Sequence, residues 1–138
     1  MELVLGEPHC ILVMRTFPLN SPCRCPMECS IRGASSVWSC QIKLKRQGEN
    51  AASVEHFGHC ITDKALIELQ IRRAQAAILN EHRDFRDFLT MPHQELAALS
   101  TRIEPPMLKF SRDIVVIDIE DPCGTDLFFA DLPGKLRH

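Results

Sequence analysis

From Asp113 the chain reads DIVVIDIEDPCGTDLFFADLPG, and no other stretch limits the fold as tightly. DIVVIDIE, Asp113–Glu120, is rich in β-branched residues, whose stiff side chains pack well on a pleated surface, and it reads as a buried strand. Asp121-Pro122-Cys123-Gly124 has turn chemistry, and DLFFA reads as the returning strand of an antiparallel pair. That strand ends in Asp131, followed by Leu132, Pro133 and Gly134. An acidic strand tip can hold a metal-bound phosphate, and a glycine nearby lets a backbone N–H approach it because no Cβ intrudes. Four such residues also make a plain strand-ending turn, and on spacing alone that reading carries more weight.

Upstream, Trp38, Cys40, Ile42 and Leu44 alternate with Ser39, Gln41, Lys43 and Lys45, the period of two of a half-buried strand. MECSI before it is expected to complete an antiparallel hairpin. ELVL and CILVM near the start are candidate short strands, FPLNSPCRCP is a proline-rich loop, and residues 47–60 read as a loop. Thr62 is a suitable helix N-cap with Asp63 in the first turn. Ile67, Ile71, Ala74 and Ile78 then fall on one stripe of a helix that Asn80 can end. DFRDFL reads as a short turn, and a second helix is expected near Pro92–Arg102, stopped by Glu104-Pro105-Pro106.

The 138 residues make one domain at most. A formal net charge of −2 gives no reason to expect nucleic acid or an anionic membrane as a partner. Seven cysteines, an odd number behind an N-terminus with only a five-residue apolar run, argue against a disulfide framework. The expectation is free thiols in the cytoplasm. Cys23, Cys25, Cys29 and Cys40 could be zinc ligands, but structural zinc favours paired Cys-x₂₋₄-Cys knuckles, and no matching second pair follows. Packing as small hydrophobes is the simpler reading. His56 and His59 near Cys60 read as solvated loop residues, and Arg72 and Arg73 as a charged helix face.

The segments CRCPMECSI, WSCQIKL, ITDKALIELQIRRAQAAILN and MLKFSRDIVVIDIEDPCGTDLFFADLPG occur in that order. Together they resemble the GTPase domain of dynamin-like large GTPases, particularly the fungal branch, over about residues 22–134. The resemblance divides the chain into a non-matching segment, 1–20, and a partial dynamin-type GTPase domain, 21–138. It implies an α/β fold of the P-loop GTPase type: a mixed, mostly parallel sheet with flanking helices and a helical insert at about 62–102. The loop matching CRCP would be switch I, with Cys23 and Arg24 near the nucleotide, and ADLPG would begin switch II. Asp131 would help hold Mg²⁺ through water, and Gly134 would offer its N–H to the γ-phosphate. GTP and Mg²⁺ are the implied cofactors. Full-length dynamin-like relatives are the implied partners, and microtubule or membrane association is a family property.

The sequence also departs from the family pattern. None of its six glycines belongs to a Gly-Lys-Ser/Thr run, and residues 1–20 stand where the phosphate-binding loop would lie. Cys23 takes the place of a Mg²⁺-coordinating Thr, and a thiol is a poor ligand for a hard cation. No guanine-reading Thr-Lys-x-Asp occurs. Phosphoryl transfer depends on positioning and charge stabilisation, so the expected function is a GTPase-domain fragment whose nucleotide binding is weak or lost and which is inactive alone. The alternative is a non-catalytic module that binds a partner or full-length relative through the helical insert. Without the first strand and helix, the sheet is expected to expose an apolar face and open strand edges.

Overall fold

The computed structural model describes residues 25–33, 36–48, 52–99 and 111–131. Five strands, β1 (Met27–Arg32), β2 (Ser39–Gln47), β3 (Ala52–His56), β4 (Ile114–Glu120) and β5 (Leu127–Asp131), form one sheet in the order β3-β2-β4-β1-β5. Two helices, α1 (Ile67–Leu79) and α2 (His93–Leu99), lie between β3 and β4 in the chain. The fold is therefore α/β with a mixed sheet: β1 and β4 are parallel and the other three pairings are antiparallel.

β2 follows its sequence pattern, with Trp38, Cys40, Ile42 and Leu44 buried and the residues between them half-buried. They share a core with Met27, Cys29 and Ile31 of β1 and with Val115, Ile117 and Ile119 of β4. The Ile67, Ile71, Ala74 and Ile78 stripe of α1 covers this face. Asn80 ends α1 as expected, its backbone N–H and its side-chain amide both donating to the Ala76 carbonyl. The cap at the other end differs from expectation. Asp63, not Thr62, supplies it, accepting from Ala65 N–H at 3.0 Å and starting a 3₁₀ turn, Lys64–Leu66, that runs into α1. The second helix begins at His93, after Pro92, whose carbonyl accepts from Leu96 N–H. Arg73 donates to the Met91 carbonyl at 2.8 Å and ties α1 to the segment before α2, so it is a structural brace as well as a surface charge.

Three further expectations are corrected. MECSI and the Trp38 strand do not form a hairpin, because β4 lies between them. Their connection, residues 33–38, is long enough to step over one strand, since crossing two strand spacings takes only about 10 Å. β4 and β5 are not a hairpin either, because β1 separates them. Their connection crosses the end of β1 and is fastened there: Asp121 N–H donates to the Arg32 carbonyl at 2.8 Å, and Gly33 N–H donates to Asp126 Oδ1 at 3.2 Å. The crossing is so close that a Cβ on Gly33 would stand 2.1 Å from the Gly124 carbonyl oxygen. Finally, the expected loop 47–60 contains β3, and Phe57 beyond it is fully buried, its N–H donating to the Ile42 carbonyl. The candidate strands ELVL and CILVM, the boundary at residue 20, and the segment from Ser100 to Phe110 that was to end the second helix lie outside the described residues.

Candidate functional site

β5 runs out at Asp131, and Asp131 stands opposite Met27, the first residue of β1. Met27 directly follows Cys25 and Pro26 of the CRCP segment, and the Pro26 carbonyl accepts from Val115 N–H at 3.0 Å. The start of β1, the end of β5 and the start of β4 therefore meet at one end of the sheet. Met27 and Asp131, more than a hundred residues apart in the chain, are paired there. Cys23, Arg24 and Gly134 lie outside the described residues, so of the expected nucleotide-binding set only the backbone position of Asp131 is given.

No group of three His, Cys, Asp or Glu side chains among the described residues could hold a metal ion. Gly33 and Gly124 are spent on the crossing at the opposite end of β1. The lysines on the open face of the sheet are matched to carboxylates: Lys43 Nζ lies 2.8 Å from Asp118 Oδ2, and Lys45 Nζ lies 4.0 Å from Glu28 Oε2.

Asp118 was not singled out from sequence, yet it anchors the tightest polar group on the sheet. Ser30 Oγ donates to its Oδ1 at 2.7 Å, and Lys43 holds the other oxygen. Partial burial pushes the Asp118 carboxyl up. Hydrogen bonds from Lys43 and Ser30, with the charges of Lys43 and Arg32, outweigh that and hold it below the ordinary carboxylate value. A carboxylate so satisfied is a structural anion, not a free base. Its only sequence signal, a charge at an alternate position of β4, acquires a partner once β2 is known to lie beside it.

Cys25, Cys29 and Cys40 are buried, and β4 separates Cys29 from Cys40 by two strand spacings, about 10 Å, whereas two thiolates on one zinc each sit about 2.3 Å from the metal. Burial, with Cys60 and Asp118 adding to it, pushes the Cys40 thiol up to about 12, so it stays protonated at neutral pH. Cys40, Cys60 and Cys123 are free, but Cys29 is disulfide-bonded, which corrects the expectation of free thiols throughout; an odd count excludes complete pairing, not a single bridge. His56, His59 and Cys60 are exposed, as expected of solvated positions. In the helical segment, Arg83, Met91, Glu95, Ala98 and Leu99 line a cavity of about 220 Å³. No helix among the described residues is long and apolar enough to cross a membrane.

No protein-family model matches the chain, and no curated protein shows a significant match to it.

Proposed function

We propose that this chain is part of a dynamin-like GTPase domain that does not hydrolyse GTP on its own. One observation supports this reading: Met27, next after the CRCP segment, pairs with Asp131 of the ADLPG segment, an arrangement compatible with two switches that share one phosphate group. GTP with Mg²⁺ is the ligand class, and Asp131 with Gly134 would supply one contact each. A phosphate-binding loop would have to supply the rest, and the sequence contains no Gly-Lys-Ser/Thr run to do so. The purified chain is accordingly expected to release no phosphate from labelled GTP above background. Turnover above background would overturn the claim of inactivity. The family reading is tested by reading the coding DNA upstream of Met1. A Gly-x-x-x-x-Gly-Lys-Ser/Thr run in frame there supports it, and its absence counts against it.

A second reading is favoured by the cavity at Arg83, Met91, Glu95, Ala98 and Leu99. In that reading the helical segment 62–102 is a non-catalytic surface for a partner or a full-length relative. Capture of such a relative by the intact chain, lost on Met91→Asp with folding retained, would decide for it.

A further inference from the structure

The two edges of the sheet are built differently. β3 carries Ser53, Glu55 and His56 along its edge, with Val54 the one exposed large apolar side chain among them, at 54%. β5 carries the uncharged run Leu127, Phe128, Phe129 and Ala130 before its last residue, Asp131, and Leu127 and Phe128 are 41% and 63% exposed. Its inner side is taken by β1, from Met27 opposite Asp131 to Ile31 opposite Leu127, while its outer side has no partner among the described residues. Edge strands in monomeric proteins are commonly blunted by Lys, Pro, a bulge or an inward-pointing charge, because a row of unpaired N–H and C=O groups is a template for another strand. β5 has no Lys or Pro, and the charge just before it is occupied elsewhere, since Asp126 accepts from Gly33 N–H across the end of β1.

We propose that this edge is a self-association surface, on which β5 of one copy pairs antiparallel with β5 of a second copy. With the two-fold axis at Phe128 the strand is its own complement: the apolar run meets its antiparallel image, Asp131 of each copy falls opposite Thr125 of the other and not opposite a like charge, and Phe128 gains aromatic neighbours across the axis. The whole-chain charge of only −2 leaves little repulsion between copies. Because the other edge of the described sheet carries Glu55 and His56, each copy offers one adhesive edge. The contact therefore closes at two copies and does not propagate into a filament.

Sedimentation velocity on the full chain over a wide concentration range tests it, together with amide hydrogen exchange. The weight-average mass is expected to rise from 15.7 kDa and level off at twice that value. Protection of the Leu127–Asp131 amides should rise in step while β3 amides stay unchanged. Phe128→Lys should weaken the dimer by about tenfold or more, through lost cross-strand packing and charge placed opposite charge. Ala130→Lys, also at an exposed position, is the second variant should the first misfold, and Val54→Lys on the far edge should leave the dimer unchanged. A mass that stays monomeric at every concentration overturns the proposal. So do β5 amides already protected in the dilute monomer, which would mean that the chain covers its own edge, and a mass that climbs past two copies. An equal effect of Val54→Lys would also overturn it.

Discussion

One face of the sheet is a dry core and the other is a lattice of matched charges, although the same strands build both. Toward α1 point Cys29, Ile42 and Ile117 with their buried neighbours. Away from it point Glu28, Ser30, Gln41, Lys43, Lys45 and Asp118, all half-buried. The difference corrects a specific expectation. A sheet covered by helices on both sides has near-continuous apolar strands, and removing one layer would bare an apolar face. Here the side not covered by α1 is charged over β1, β2 and β4 among the described residues, with Val116, Phe128 and Ala130 as its apolar members. Of the exposed large apolar side chains on the strands, two, Leu127 and Phe128, stand on β5 and one, Val54, on β3.

The largest effects should come from the core face. Ile117→Ala removes a buried side chain from the central strand and is expected to cost about 3–4 kcal/mol in urea unfolding. A loss near zero would mean that this face is not the core. Gly33→Ala drives a Cβ into the Gly124 carbonyl, a backbone atom, and should cost about 2–3 kcal/mol with the β4–β5 connection displaced. On the polar face, Asp118→Ala strands Lys43 and Ser30 and should cost about 1–2 kcal/mol, whereas replacing Asp118 and Lys43 together by Leu and Met should cost less than the single change. Acid titration sharpens the point. Asp118 is held below its ordinary value of 3.8, so its contribution is present above that pH and is lost as pH falls through the lower folded-state value. The stability gap between wild type and Asp118→Asn should therefore narrow on acidification below that point; a gap that stays constant would remove the ion pair from the account. Val54→Lys, on an exposed edge position, should move stability by no more than about 0.5 kcal/mol.

Local patterns were legible from sequence and pairings were not. The alternation from Trp38 to Lys45 and the isoleucine stripe of α1 each report on a single element, because burial imposes the element's own period on its side chains. β3 was missed since Ala52–His56 holds one large apolar residue and draws its order from backbone bonds to β2. Both hairpins were misassigned for a common reason. Neighbouring strands in sequence usually pair, but β4 and β1 are each other's partners across a long interval that leaves no local mark. The same limit applies to the candidate site. The motifs at Cys23–Pro26 and Asp131 could be read singly, while their meeting at Met27 depends on β5 choosing β1 over β4.

The position of β4 carries a consequence for biosynthesis. It is the middle strand of five, yet it is the fourth to leave the ribosome, and β1 and β2 have no shared neighbour until it does. At about 5–20 residues translated per second, the nascent β1 waits on the order of ten seconds with Met27, Cys29 and Ile31 uncovered. Chains arrested before Ile114 are expected to be digested readily by protease, and resistance should appear in a single step once the peptide past Asp131 clears the exit tunnel.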